Sequence, residues 1–445
     1  MIILIVNGHI IDPRNEMYGL GDIVIENWKI KEIRYRESKP GQGNPESEGD
    51  SFVQQFPESP EIIDASGLYV MPGLVDMHVH LREPGYEYKE TIKSGTMAAV
   101  RGGFTSVCCM PDTKPVNDNE TVTEFILRKA YAEGACYVYP IGAVTKGQEG
   151  RELAEMGMMR EAGCVAFSDD GMPVKNSLIM RRALEYSRTF GAPVISHAED
   201  IDLTACGVMN EGYLSTLLGL KGIPREAEVI MIKRDIDLAL LTGGRLHIAH
   251  VSTEEGVNAI REAKRAGINV TAETCPHYFT ITEDAVKDYN TDAKVNPPLR
   301  TEKDIAAIKE GLSDDTIDVI ATDHAPHHRD EKLCEFDSAA SGISGLETAL
   351  PLGLKLVEEG VLDLSHLIRK MSLNPSDILG LDRGVLREGS DAALVIVDMD
   401  SEFEVEPEKF VSKGKNTPFK GMYLKGRPVV TICKGRIYDF RAERP

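Results

Sequence analysis

Three things are scarce in this chain, and each scarcity argues against a class of function. Long apolar runs are the first: no segment is long and apolar enough to be a transmembrane helix. The opening Met1-Ile2-Ile3-Leu4-Ile5-Val6 is too short to span a bilayer and lacks a cationic flank. It runs into Asn7-Gly8, a hairpin turn signal, and so reads as a first strand. Positive charge is the second. With 50 Lys and Arg against 71 Asp and Glu, the formal net charge of -21 argues against nucleic acid and against anionic membrane surfaces. Paired cysteine motifs are the third: the eight cysteines are scattered singly apart from Cys108-Cys109, and none forms C-x-x-C. Several (Cys136, Cys164, Cys433) lie in apolar runs, where a thiol behaves as a small hydrophobe. With no secretory signal, reduced thiols in a cytoplasmic protein are expected.

What the chain does have is a core and a pattern. A hydrophobic fraction of 42% with 27% charged residues is that of a soluble globular protein. Its 445 residues exceed one ordinary domain but suit a (β/α)8 barrel with an accessory module. Residues 1–67 read as short strands at 1–6, 22–26, 29–35 and 61–64, with a Pro, Gly, Ser and Glu-rich surface loop at 38–60. Over 68–384, strands at 74–81, 105–110, 136–144, 164–168, 193–197, 246–251, 269–273 and 318–322 alternate with helices such as 89–101, 122–132, 177–189 and 305–311. That alternation is the signature of a parallel sheet. Ser252-Thr253-Glu254-Glu255 reads as a capping box opening a helix. Residues 385–445 return to short strands, at 392–398, 421–424 and 428–433. The expected fold is therefore an α/β, TIM-type (β/α)8 barrel with a small β-sandwich-like domain built from both chain ends.

The most informative stretch is Val75-Asp76-Met77-His78-Val79-His80-Leu81-Arg82. Its apolar and polar residues alternate as in a strand, which sets the two imidazoles side by side on one face. Two imidazoles on a rigid element are half of a divalent metal site, although two incidental histidines would give the same pattern. In a barrel the catalytic groups stand at the C-terminal strand ends. There the chain has Ser168-Asp169-Asp170-Gly171, Ser196-His197-Ala198-Glu199, His250-Val251-Ser252 and Thr322-Asp323-His324-Ala325-Pro326-His327. Asp169 and His324 read more simply as structural residues. Four histidines and two aspartates exceed what one catalytic metal needs, so two metals sharing a carboxylate use the set better. Nitrogen-rich ligation without thiolate points to Zn2+ first, with Mn2+, Co2+ and Fe2+ as alternatives. The chemistry this supports is hydrolysis of an amide-like bond or its reversal, with an eighth-strand carboxylate moving the proton. Arg82 would supply the local cation that an anionic substrate needs in so acidic a protein.

Taken together, these residues resemble the type I dihydroorotases of the amidohydrolase superfamily over nearly the whole chain. The resemblance rests on Val75 to Gly85, Gly102 to Pro111, Phe167 to Gly171, Lys294 to Arg300, Ala321 to His327, Gly342 to Glu347 and Asn416-Thr417-Pro418-Phe419. It implies reversible cyclisation of N-carbamoyl-L-aspartate to L-dihydroorotate in pyrimidine biosynthesis, with two Zn2+ per subunit. By the same resemblance His78, His80 and Asp323 bind one metal, and His197 and His250 the other. Relatives often bridge their metals with a carboxylated lysine. Here the Ser-Asp-Asp-Gly form makes Asp170 the bridging candidate and Asp169 the runner-up, with Lys175 a poor substitute. Asp323 is then general base and acid, and Arg82, Asn296 and His327 hold the substrate. An ordinary loop histidine is the lesser alternative for His327. A homo-oligomer is expected, with aspartate transcarbamoylase as a candidate associate.

One position departs from the family pattern: Asp112 stands where asparagine usually helps to bind the substrate carboxylate. A carboxylate facing a carboxylate costs affinity unless it is protonated or paired with Arg82. On that view Asp112→Asn leaves KM unchanged or lowers it. The polar segment 330–342 is a candidate lid over the ring. Two other readings stand beside the first. Thr271 to Tyr278 looks as much like allantoinases and dihydropyrimidinases, and a catalytically silent scaffold is conceivable, though a scaffold has no physical need for six convergent ligands.

Overall fold

The computed structural model describes residues 1–36 and 60–443; the loop expected at 38–60 lies, apart from Pro60, outside them. Eight short apolar runs form one parallel sheet in chain order: Leu74–Val79, Phe104–Cys109, Tyr137–Gly142, Ala166–Ser168, Val194–Ser196, Leu246–Ile248, Val270–Thr274 and Val319–Ile320. The last strand meets the first through a parallel bridge between Val79 and His324. There His80 N–H donates to the His324 carbonyl at 2.8 Å, so the sheet closes on itself as a TIM-type barrel. Every residue of Leu74–Val79 is buried. The alternation in this strand therefore separates two interior faces, and its polar face turns to the site instead of to water.

Helices begin where side chains can take up free N–H groups. Thr91 caps Ile92–Arg101, Asn119 caps Glu120–Glu133 and Asn176 caps Ser177–Ser187, while Thr301 and Asp304 form a capping box for Glu302–Ser313. The helix Glu254–Arg265 is capped differently from the expected box: Thr253 accepts from Gly256 N–H. Ser252 is unavailable because its hydroxyl is bonded to the buried Glu228 carboxylate and accepts from Arg300 Nε at 3.1 Å. Several barrel strands end earlier than the apolar runs do, since the backbone leaves the ladder to aim its polar residues. His250 (φ 35°) and Asp323 (φ 47°), just beyond two of these ends, lie in the left-handed region.

Both chain ends meet in a second eight-stranded sheet ordered Arg436–Asp439, Tyr423–Cys433, Leu394–Glu404, Tyr69–Pro72, Ile2–Asp12, Met17–Glu26 and Lys29–Tyr35, with Glu61–Asp64 also paired to Ile2–Asp12. It takes in Tyr69–Pro72, beyond residue 67. Asn7-Gly8 is a bulge within the first strand and not a hairpin turn: register shifts between Ile5 and Gly8, and Asn7 has φ 62°. Glycine is required at position 8, where a Cβ would lie 2.5 Å from Val70 Cγ2. Among the described residues no helix is long and apolar enough to cross a membrane.

Candidate metal centre and active site

Polar residues from the first, fourth, fifth, sixth and eighth barrel strands converge at one end of the barrel. His78 and His80 stand side by side with ring centroids 5.5 Å apart. Asp170 lies between two pairs of histidines. One of its oxygens, Oδ2, is 3.4 Å from both His78 Nε2 and His80 Nε2. The other, Oδ1, is 3.4 Å from both His197 Nδ1 and His250 Nε2. His78, His80 and Asp170 thus form one group able to hold a cation, and Asp170, His197 and His250 form another. Asp323 Oδ1 adds itself to the first, 3.1 Å from His80 Nε2 and 3.4 Å from His78 Nε2. Among the described residues His78 Nε2 and Asp170 Oδ1 are buried and find no hydrogen-bond partner, an arrangement that costs free energy unless something else occupies the lone pairs. The donor set of four imidazoles and two carboxylates fits divalent cations such as zinc.

Asp169 turns away from this centre. It accepts from Val144 N–H at 2.8 Å, Thr145 N–H at 3.0 Å and the Thr145 hydroxyl, and burial pushes its carboxyl up to about 6. Lys175 is engaged near the surface with Asp202 at 3.4 Å. Of the two aspartates, only Asp170 faces all four histidines.

Behind the histidines lies a ring of acids. The far nitrogen of His78 reaches Glu273 at 2.5 Å, that of His80 reaches Asp112 at 2.8 Å, and that of His197 reaches Glu199 at 2.9 Å. Such contacts fix the tautomer and ring orientation of a ligand histidine. His250 is the exception, its Nδ1 having no partner among the described residues. Burial opposes charge on these rings, but the carboxylates outweigh it. Asp170, Glu273 and Asp323 pull His78 well above the ordinary imidazole value; Asp112 draws His80 up to about 9, and Asp170 with Glu199 draws His197 up to about 10. In return, although burial works the other way, His78, His80 and His250 hold Asp323 below its usual range. The centre therefore attracts positive charge strongly, and protons compete there with metal ions.

A cavity of about 490 Å³ opens over the centre, lined by His80, Arg82, Asp112, Asp170, Asn296, His327 and others. Asp112 is paired, as the second of the two conditions above requires: Oδ2 accepts from Arg82 Nη1 at 2.5 Å while Oδ1 faces His80. Burial would raise its carboxyl, but His80 and Arg82 keep it below the usual value, so it is ionised. Asn296 Nδ2 donates to Glu199 Oε2 at 3.0 Å. His327 is held neutral, down to about 2, by burial and by nearby Arg82, Lys89 and Lys332, with Nε2 2.9 Å from the Ser341 carbonyl. It thus packs the 330–342 segment against the cavity. That segment is held from outside by Lys294 Nζ on the Phe336 carbonyl at 2.7 Å and Asn416 Nδ2 on the Gly342 carbonyl at 2.9 Å, and is tied within itself by Lys332 Nζ on the Ala340 carbonyl at 2.7 Å.

Glu199 and Glu273 carry structural roles that the sequence reading missed. The cavity is also lined by Thr204, Cys206, Gly207 and Val208, which no motif marks. Glu199 had one visible signal, its position two residues past a ligand-type histidine at a strand end.

The chain matches the family model described as Dihydro-orotase-like over residues 67–256. It is 56% identical to a protein named dihydroorotase from Trichlorobacter lovleyi, with 98% of this chain and 99% of the relative covered. The chain belongs to the dihydroorotase family. Another family dihydroorotase, from Geotalea daltonii, is 53% identical over 99% of this chain and all of its own length (100%). Among solved structures, an L-hydantoinase (dihydropyrimidinase) from Arthrobacter aurescens superposes with TM-score 0.84 at 26% identity, covering 98% of this chain and 95% of its own. A D-hydantoinase at 23% identity and TM-score 0.82 shares the fold. This dihydroorotase family member is thus a metal-dependent cyclic amidohydrolase by kinship as well as by the character of its strand ends.

Proposed function

We propose that this chain interconverts N-carbamoyl-L-aspartate and L-dihydroorotate, closing or opening the ring with loss or gain of water, in pyrimidine biosynthesis. The observation that carries the reading is Asp170, which offers one oxygen to each of two histidine pairs beneath a cavity that also contains Arg82. In this proposal His78, His80 and Asp323 would hold one zinc ion and His197 and His250 the second, with Asp170 available to both groups. Such ions would supply an activated water and a Lewis acid for the ring carbonyl.

The chain's own residues do the rest. In the hydrolytic direction Asp323 accepts the proton released as oxygen adds to the carbonyl carbon. It returns that proton to the ring nitrogen as the carbon–nitrogen bond breaks; cyclisation runs the same transfers backwards. Its histidine neighbours keep Asp323 ionised, the form that can accept a proton. Arg82 grips the substrate carboxylate with donors that Asp112 leaves open, and His327, 3.4 Å from Arg82 Nη2, and Asn296 complete the hold on the substrate. The segment 330–342 keeps bulk water from the ring while these contacts form.

The likeness to an L-hydantoinase makes a sister cyclic amidase the reading to test against. Ultraviolet absorbance of the purified protein with dihydroorotate, allantoin and dihydrouracil, alongside its metal content, separates the two. Turnover of dihydroorotate alone is expected. A metal-loaded protein that leaves dihydroorotate untouched would overturn the proposal.

A further inference from the structure

Two carboxylates in this site each touch both a metal-type histidine and a side chain assigned to the substrate. Asp112 takes His80 Nδ1 on one oxygen at 2.8 Å and Arg82 Nη1 on the other at 2.5 Å. Glu199 receives His197 Nε2 at 2.9 Å and Asn296 Nδ2 at 3.0 Å on one oxygen, and the Thr204 hydroxyl at 2.8 Å on the other. The third such acid, Glu273, is different. It contacts His78 and, at 3.3 Å, His247, and no side chain of the substrate cavity.

We infer that Asp112 and Glu199 are positioning residues that link metal binding to substrate binding, one on each side of the centre. The inference rests on the metal and substrate assignments proposed above and goes beyond them. Each carboxylate can serve its histidine and its substrate-side partner together only while both are in place. A metal on His80 or His197 holds the ring still and, through the shared acid, orients Arg82 or Asn296 for the substrate. By thermodynamic reciprocity, a substrate that holds Arg82 and Asn296 tightens the hold on the metals. Carboxylate chemistry is needed for this. At position 112 the donors on either side are an imidazole N–H and a guanidinium N–H, and both require an acceptor. An asparagine there would accept from one and set its own N–H2 against the other. This gives a physical reason for the aspartate at position 112, where the family resemblance implies asparagine. It also revises the expectation for Asp112→Asn: the variant should bind both metal and substrate less well.

The test is Zn2+ affinity by chelator competition, with and without saturating orotate, a ring analogue that carries the carboxylate. It compares the wild-type protein with Asp112→Asn, Glu199→Gln and Glu273→Gln. In the wild type, orotate should tighten Zn2+ by about fivefold or more. Asp112→Asn and Glu199→Gln should each loosen Zn2+ by roughly tenfold and bring the tightening by orotate toward one. Glu273→Gln should loosen Zn2+ similarly and leave the tightening intact, which a merely structural role for all three acids would not produce. If the wild type binds both zinc and orotate and the three variants lose coupling equally, or none does, the inference is wrong while the proposed function stands. A wild type that binds neither overturns the proposed function itself. Glu199→Gln decides the matter should Asp112→Asn fail to fold.

Discussion

Two buried polar clusters lie a few residues apart in sequence, and they are built on opposite rules. In the histidine–aspartate centre, lone pairs converge on common points, two of the facing atoms have no partner among the described residues, and the backbone at His250 and Asp323 is left-handed. Just past His250, Ser252 and Thr253 enter a second cluster around Glu228 and Arg300. There Arg300 Nη1 donates to Asn210 at 2.8 Å and to the Ile223 carbonyl at 3.2 Å, and Nη2 is 3.4 Å from Glu228. Glu228 in turn accepts from Ser252 N–H at 3.0 Å, Thr253 N–H at 3.2 Å and the Thr253 hydroxyl at 3.0 Å. Among the described residues, no side-chain polar atom of Glu228, Arg300 or Asn210 lacks a partner. Both clusters are buried and charged, but only one is incomplete as protein alone. Polar groups that satisfy one another hold the fold, whereas groups that leave lone pairs facing a shared point call for a ligand.

The contrast can be broken most directly at Asp323. Asp323→Asn keeps the shape but removes the proton carrier, so kcat should fall by about 10³ or more. Near-normal turnover would remove Asp323 from the chemistry. Next in size, Asp170→Asn should sharply lower zinc content measured by atomic absorption with little loss of melting temperature, because it deletes a shared ligand from a centre already short of partners. Arg300→Met should do the reverse. It leaves Glu228 buried without its counter-ion, which costs about 3–5 kcal/mol, while the zinc content of the folded fraction is unchanged. If Arg300→Met stripped zinc as thoroughly as Asp170→Asn, the two clusters would be one functional unit and the distinction would fail.

How much of this was legible beforehand differs between the clusters for the same reason. His78, His80, His197, His250 and Asp323 could be found because residue type and a strand end suffice to mark them. The barrel was equally legible, since apolar runs alternate with helical stretches along the chain. Choosing Asp170 over Asp169 from the chain alone needed the resemblance, because which carboxylate turns inward depends on how Val144 and Thr145 fold over Asp169. Glu273 lies 195 residues from His78, and no local pattern announces such a pair. The Arg300 cluster was invisible as a cluster, though Arg300 itself sits in a motif. Asn7-Gly8 reads as a hairpin turn from the chain alone because the strand whose Val70 packs against Gly8 is not revealed by the sequence pattern.

A third buried charge sharpens the comparison and should give the smallest effect. Lys332 is 5% exposed, and its ammonium is met by neutral carbonyls, those of Ala340 at 2.7 Å and Thr291 at 3.0 Å. It is thus satisfied in hydrogen bonds, as Arg300 is, but among the described residues no carboxylate contacts it. Burial accordingly lowers it to about 8, with Asp292 offsetting part of the cost. Below that value folded and unfolded chains both hold the proton, and the full cost of burying the charge is present. Between about 8 and the ordinary lysine value of about 10.4 the unfolded chain binds more protons, so this group makes stability rise with pH. The gain is on the order of 3 kcal/mol at most. Urea unfolding at pH 7.5 and pH 10 should therefore show a more favourable pH response in the wild type than in Lys332→Met, which cannot titrate. Equal responses would mean that the carbonyls compensate the charge as well as a carboxylate does. Complete hydrogen bonding would then be enough to mark a structural cluster, whatever its charge balance.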